Sequence, residues 1–356
     1  LKEHQLQCDI QSGRDRLFWF TTCGWMMWNW LVSGLASGAS IVLYDGSPGH
    51  PDLGTLWRMA ERTEITHFGT SPKFLAACSK SELIPKDIAD LSNFKSLLST
   101  GAPLVSEQFD WVYDNVNSDI QLASISGGTD IIGCFLAGSP LLPVYRGELQ
   151  CSQLGMDVQS WNVDGKSVIG ESGELVCASP FPSMPISFWN DEDGSNYRSA
   201  YFDEFEGVWT HGDYVEITST GGAIIYGRSD TTLNPGGVRI GTAEIYRAVE
   251  NMEQIVDAVV VGRPNKGDVD VVLCVKLGDG IIFDAGLKSD ISYQIRNATT
   301  PRHVPDYIFE VDDIPYTISG KKVEKAVLAT ITGRLVGNKD ALANPESLEQ
   351  YSTLSF

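Results

Sequence analysis

The chain has 356 residues, 42% of them hydrophobic and 20% charged, and its formal net charge is −20. Domains usually hold roughly 100 to 200 residues, so this ordinary globular composition predicts two or three cores. The negative charge argues against nucleic acid as a partner and requires that any site for an anionic reactant be locally basic.

The cysteines and the apolar runs predict a cytoplasmic location. Seven cysteines are odd in number and show no close pair with metal-ligand spacing, so we expect reduced thiols. The most apolar run, Ile41–Tyr44, is far shorter than the roughly 20 residues of a membrane-spanning helix. No membrane span is therefore expected.

Residues 1–146 alternate short apolar runs with helical patterns, which is typical of α/β architecture. The predicted strands are 16–20, 40–44, 65–70, one beginning at Phe94, and one ending near Ile125. The predicted helices are 51–62, one at Pro72 capped by Ser71, and 106–113.

Residues 147–230 lose the helical periodicity and show short alternating strands at 150–152, 158–163, 173–177 and 215–217. Breakers such as Asp164-Gly165 separate them, and this pattern predicts a small distorted β-barrel.

Residues 231–356 predict a compact α+β unit, with strands at 255–261, 269–277 and 306–311 and helices at 243–251 and 287–297. No flexible linker precedes this unit, so the joint is short and suits rotation about few dihedral angles.

Two glycine-containing stretches carry oxygen ligands. Ser126-Gly127-Gly128-Thr129-Asp130 places a hydroxyl and a carboxylate on open backbone, as magnesium and triphosphate require. His211-Gly212-Asp213 offers a carboxylate that could accept hydrogen bonds from a ribose diol. A Gly-Gly turn and an ordinary turn aspartate are the alternatives.

Two later stretches carry cations. Gly227–Ile245 holds Arg228 and Arg239 around the breaker run Asn234–Gly237, and arginine suits phosphate or ribose. Lys321 follows Ser319-Gly320 on a glycine-flanked loop. Taken alone, the arginines could equally be surface residues on a hairpin, and the position of Lys321 favours one more surface lysine.

The order and spacing of 209–213, 227–245 and 315–322 resemble the acyl-adenylate-forming superfamily of acyl-CoA synthetases, adenylation domains and luciferases. The resemblance covers nearly the whole chain. It implies the α/β and β-barrel remainder of a large adenylate-forming domain, followed by a small mobile α+β C-terminal domain. Within the superfamily, residues 22–30, 126–130 and 301–306 resemble the members that activate acetoacetate.

The resemblance also implies roles for individual residues. Lys321 would be the catalytic lysine of adenylation, Asp230 the hinge, and Asp130 the Mg²⁺ ligand. The acyl pocket would be lined by Trp25, Trp28 and Gly127. Residues expected to bind ATP or CoA are Gly127, Gly128, Thr129, Asp213, Arg228, Gly237, Arg239 and Arg302.

The implied reaction joins acetoacetate to CoA at the expense of ATP, through an acyl-adenylate, with release of AMP and pyrophosphate. Acetate-activating relatives carry a tryptophan just before the threonine, where this chain has Ser126–Gly128. The missing side chain predicts room for an acid larger than acetate.

One departure from the superfamily concerns the phosphate loop. Residues 1–20 contain no Ser/Thr/Gly-rich stretch of the kind that cradles β and γ phosphates. We therefore expect the C-terminal part of a longer enzyme, inactive or feeble by itself. A ligase for another short or medium acid, and a non-catalytic nucleotide-binding remnant of the fold, stay open as alternatives.

Overall fold

The computed structural model describes residues 1–233, 235, 240–266, 268–318, 320–337 and 339–356. Two compact units account for them. The first comprises Leu1–His211 and Val215–Ile224, and the second comprises Gly212–Tyr214 and Ile225–Phe356. The division into domains at residues 146 and 230 stays a prediction.

The first unit contains a parallel sheet. Its strands are β1 Arg16–Trp19, β2 Ser40–Val42, β3 His67–Thr70, β4 Ser96–Ser99 and β5 Gln121–Ser124, in the order β2-β1-β3-β4-β5. The helices are α1 Met26–Ser33, α2 Thr55–Arg62, α3 Pro72–Lys80, α4 Pro85–Ile88 and α5 Ser106–Asn115. The cap predicted at Ser71 is confirmed, since its Oγ accepts a hydrogen bond from the Phe74 amide at 3.3 Å.

Both faces of this sheet are buried, as in most parallel sheets. Successive strand residues point to opposite faces, so Phe18 and Leu97 pack in one core while Trp19 and Leu98 pack in the other. The near-continuous apolar strands of the sequence follow from this double burial.

Two further sheets follow in the chain, and the strands of the second lie entirely within the predicted barrel segment, residues 147–230. The three-stranded antiparallel sheet contains β6 Ser126–Gly128, β7 Gly133–Ala137 and β8 Cys151–Ser152. The other contains β9 Val158–Trp161, β10 Ser167–Val168, β11 Ser172–Cys177, β12 Trp209–Ile217 and β13 Ala223–Arg228, in the order β10-β9-β11-β12-β13. Helix α6, Ser195–Tyr201, precedes β12.

The second unit is an α+β fold in its described residues. Its sheet has β14 Ile255–Asn265 antiparallel to β15 Asp268–Leu277, and β15 parallel to β16 Tyr307–Glu310. Its helices are α7 Thr242–Val249, α8 Ala285–Ala298 and α9 Glu324–Ile331. The sequence interpretation missed α9, which packs on the sheet face that carries Val259 and Cys274.

The predicted fold class is confirmed: parallel α/β architecture comes first, short strands follow, and a small α+β unit comes last. None of the helices in the described ranges combines the length and apolar character needed to cross a bilayer.

Replacement of Leu97 by alanine tests the importance of the double-sided core. Leu97 is fully buried in β4, and large-to-small core changes of this kind cost about 2–5 kcal/mol. We expect a loss of that size in the free energy of unfolding, measured with denaturant. Leu141→Ala is the control, since Leu141 is 89% exposed; equal stability of the two variants would contradict the described core.

Candidate active site

The carboxyl ends of the parallel strands bring two predicted site residues, Trp25 and Thr129, to one edge of the sheet. Trp25 follows β1, Gly101 follows β4, and Thr129 lies shortly after β5. A Cβ placed on Gly101 would lie 3.7 Å from the Trp25 ring, and Thr100 Oγ1 donates a hydrogen bond to the Ile125 carbonyl at 2.8 Å. Open α/β sheets bind ligands at this edge.

The tryptophans after β1 divide between surface and core. Trp25 and Trp28 are half-buried, and Trp25 packs against the core below α1. Trp30 is buried, stacks on His4 at a centroid distance of 4.4 Å, and donates its indole N–H to Glu3. Trp25 and Trp28 therefore keep surface available to a ligand, whereas Trp30 is a core residue.

The glycines before Thr129 have little space beside them. A Cβ at Gly127 would lie 2.0 Å from the Gly133 carbonyl oxygen, and one at Gly128 would lie 2.7 Å from Cε1 of His211. The His211 ring packs edge-on against Phe135, with 4.7 Å between centroids. Strand backbone and an imidazole thus occupy the directions that side chains would take, so these glycines do not support the predicted extra room for the acid.

Thr129 and Asp130 are exposed in the turn after β6. The Tyr201 hydroxyl donates a hydrogen bond to the Asp130 carboxylate, and the Tyr201 ring stacks on Trp209 at 3.6 Å. An exposed carboxylate beside a threonine hydroxyl suits Mg²⁺ that keeps water and phosphate as its other ligands. Among the described residues, no group of three or more His, Cys, Asp or Glu side chains could hold a metal ion.

In the second unit, Arg228 pairs with Asp213. The Arg228 Nη1 donates to Asp213 Oδ1 at 3.0 Å, and only 11% of the Asp213 side chain is exposed. Gly212 has φ +79°, and a Cβ there would come within 2.8 Å of the guanidinium. Glycine at 212 thus allows the arginine to lie against the chain beside the carboxylate.

Lys321 belongs to the same group. It lies in a tight turn in which the Thr317 amide donates to the Lys321 carbonyl at 2.8 Å and the Lys321 amide to Thr317 Oγ1 at 3.0 Å. Desolvation lowers the pKa of the Lys321 ammonium; the neighbouring Asp213 opposes this shift and Arg228 reinforces it. Arg228 and Asp213 therefore pair directly, and Lys321 lies within electrostatic range of both.

The other predicted residues of this unit are more scattered. Asp230 lies in the 3₁₀ turn Ser229–Thr231 and contacts the ammonium of Lys325, with Arg228 Nε 3.9 Å away. Arg302 is exposed in the turn Pro301–His303, and in the described ranges no ion pair involves it. Gly237 and Arg239 lie outside the described residues.

Sequence reasoning missed His211 and Tyr201. His211 received no role, although its Cε1 atom lies 2.7 Å from the position that a Cβ on Gly128 would take. Tyr201 reaches Asp130 across 71 residues of sequence. The only local signal was aromatic richness around Trp209, which is also typical of ordinary cores.

Known proteins resemble this chain along its length. The family described as "AMP-binding enzyme" matches residues 2–184, and "AMP-binding enzyme C-terminal domain" matches residues 244–321. Acetoacetyl-coenzyme A synthetase of Rhizobium meliloti (strain 1021) is 54% identical over 99% of the chain and 54% of its own length. Acetoacetyl-CoA synthetase of Gallus gallus is 49% identical over 99% of the chain and 53% of its own length.

A solved structure also resembles this chain along nearly its whole length. Acetoacetyl-CoA synthetase from Streptomyces lividans superposes with a TM-score of 0.92 at 45% identity, covering 99% of this chain and 54% of that one. The chain spans about half the length of the curated relatives it matches.

Replacement of Gly127 by alanine tests the packing of the glycine stretch. The new methyl group would collide with backbone atoms of β7, and overpacking typically costs about 1–3 kcal/mol. We expect a loss of that size in the free energy of unfolding. Gly337→Ala is the control, since a Cβ there meets nothing within 4 Å. A Gly127→Ala variant as stable as the control would contradict the described contact.

Proposed function

Since the chain belongs to the AMP-binding enzyme family, we propose that it forms part or all of an acid–thiol ligase that makes acetoacetyl-CoA. The reaction consumes acetoacetate, ATP and CoA and releases AMP and pyrophosphate through an acyl-adenylate. The convergence of Lys321, Asp213 and Arg228 carries the proposal. The assignment of acetoacetate as the acid is supported by the names of two relatives, which are 54% and 49% identical to this chain.

The group around Lys321 suits adenylation. The attack of a carboxylate on the α-phosphorus of ATP brings two anions together, so catalysis is largely electrostatic. The Lys321 ammonium would lie between the carboxylate and the phosphate, Asp213 would accept hydrogen bonds from the ribose hydroxyls, and Arg228 would donate to ribose or phosphate. Thr129, with the backbone of Gly127 and Gly128, would contact the α-phosphate.

Asp130 is the residue we propose for Mg²⁺. Bound Mg²⁺ neutralises phosphate charge, and Asp130 would supply one hard oxygen ligand directly or through water. The hydrogen bond that Asp130 accepts from the Tyr201 hydroxyl would hold the carboxylate in one orientation.

The thioester half-reaction requires a second arrangement of the C-terminal residues. We assign Asp230 to the hinge, because it lies in a short turn directly after β13. Gly237 would line the path of the pantetheine, Arg239 would replace Arg228 in one of the two states, and Arg302 would contact a CoA phosphate. Trp25 and Trp28 would form walls of the acyl pocket. A cytoplasmic location belongs to the same proposal.

Removal of the Lys321 ammonium tests the proposed catalytic role. In the complete gene product, Lys321→Ala should slow acyl-adenylate formation by at least about 10²-fold, since removal of one positioned charge stabiliser costs this much. Thioester formation from preformed acyl-adenylate should stay nearly intact. The two half-reactions are followed by pyrophosphate exchange and by thiol consumption, with Lys339→Ala as control. Equal loss in both half-reactions would refute the role.

Asp213→Asn tests the ribose contact by calorimetric titration with AMP. Hydrogen bonds to a charged group contribute about 1.5–3 kcal/mol, so AMP affinity should fall by about 10- to 100-fold. Asp279→Asn, on an exposed loop, should bind like the parent protein. A complete gene product that binds no AMP would count against the ligase proposal, and unchanged affinity of Asp213→Asn would count against the ribose contact.

A further inference from the structure

Lys322, the neighbour of Lys321, lies in an acidic cluster. Its Nζ contacts the Glu250 carboxylate, lies 3.1 Å from Asp257 Oδ1, and lies over the Tyr246 ring at 4.1 Å from the centroid. Only 17% of the Lys322 side chain is exposed. The two adjacent lysines thus have different surroundings.

Hydrogen bonds extend this cluster over several elements. The Tyr246 hydroxyl donates to Glu324 Oε1 at 3.0 Å and accepts from the Val260 amide at 3.2 Å. The Tyr316 hydroxyl donates to Asp257 Oδ2 at 2.7 Å. Since these residues belong to α7, β14, α9 and the segment before Lys321, the cluster joins the lysine turn to the helices on both faces of the sheet of β14, β15 and β16.

The charge balance makes Lys322 the centre of the cluster. Burial lowers the pKa of Lys322, but Glu250 and Asp257 outweigh it, so the net shift is upward and the ammonium stays charged. Burial raises the pKa of Glu324, which adds a third carboxyl group nearby. Removal of the ammonium would leave acidic groups close together without their central cation, a strongly unfavourable arrangement.

The turn transmits this anchoring to Lys321. Tyr316 and Lys322 form an antiparallel bridge, and Thr317 and Lys321 close the turn between them with backbone hydrogen bonds. Lys321 is therefore attached directly to a residue whose side chain is fixed by two carboxylates. Any displacement of Lys322 would move the base of the Lys321 side chain by a similar distance.

We propose that Lys322 is a positioning residue, which fixes the backbone of the lysine turn through Glu250 and Asp257 so that Lys321 reaches the reacting groups in adenylation. This inference rests on the proposed function, in which Lys321 is the catalytic group. Lys322 itself touches no reactant. Its role is to hold the turn, and it differs in this from a second phosphate-binding lysine.

The test is Lys322→Met in the complete gene product, because methionine keeps much of the stem and removes the charge. A misplacement of about 1 Å can cost about 10²-fold in rate, so kcat for acetoacetate-dependent pyrophosphate exchange should fall by about that factor, with KM for ATP within about threefold. Thioester formation from preformed acyl-adenylate should stay within about twofold. Lys322→Arg, which keeps the charge, should recover most of the exchange rate.

Two further variants separate positioning from stability. Lys276→Met breaks the half-exposed pair of Lys276 with Asp313 in the same unit, at 2.7 Å, and should leave both half-reactions unchanged. Glu250→Gln removes the charge of the more exposed of the two carboxylates that contact Lys322. It should also slow pyrophosphate exchange, by a smaller factor than Lys322→Met. It serves as the test where Lys322→Met does not fold.

The outcomes are distinguishable. Unchanged pyrophosphate exchange in Lys322→Met and Glu250→Gln, or equal loss in both half-reactions, overturns the positioning role. If Lys321→Ala itself retains adenylation, the proposed function of Lys321 fails, and this result does not depend on any Lys322 variant. A loss confined to adenylation in the Lys322 and Glu250 variants supports the inference.

Discussion

A protein with 46 acidic and 26 basic side chains can attract an anion only where a cation keeps charge that its neighbours do not neutralise. Most cations near the proposed site are paired closely: Arg228 with Asp213, and Lys325 with Asp230. At Lys321 the balance differs, because desolvation lowers the pKa of the ammonium and Asp213 compensates only in part. A phosphate or carboxylate placed beside this ammonium would stabilise its charged form.

The opposite pKa shifts of the two adjacent lysines follow from geometry. The carboxylates of Glu250 and Asp257 outweigh burial and raise the pKa of Lys322, whereas burial lowers the pKa of Lys321, with Asp213 opposing this shift and Arg228 adding to it. Gly320, directly before Lys321, has φ +81° in a tight turn. Because Lys321 and Lys322 are adjacent, a single peptide unit separates their different surroundings. A buried ammonium paired with carboxylates suits the positioning role that we propose for Lys322, and an ammonium on an exposed turn suits the contact with a ligand that we propose for Lys321.

The sequence predicted the fold class and most elements because periodic apolar patterns are local. It did not predict α9, whose apolar face becomes meaningful only against β14 and its neighbours. Asp213, Arg228 and Lys321 were predicted from motif order, and their proximity agrees with a common role. Tyr201 and His211 were missed because their partners are 71 and 83 positions away, as Tyr201 to Asp130 and His211 to Gly128. Long-range contacts of this kind depend on strand pairing that local patterns do not encode.

The glycines before Thr129 limit what can be concluded from the absence of a side chain. Absence of a side chain implies free volume only if the Cβ direction is empty, and at Gly127 that direction points into the Gly133 carbonyl. At Gly128 it meets His211, whose ring is held by Phe135. In the proposed function, the size of the acid would therefore depend on residues other than these glycines, and the half-buried Trp25 and Trp28 are the residues we propose. An apolar pocket discriminates between acids that differ by one methylene by only about 1–3 kcal/mol. The placement of the aromatic rings that form the pocket walls therefore matters for discrimination.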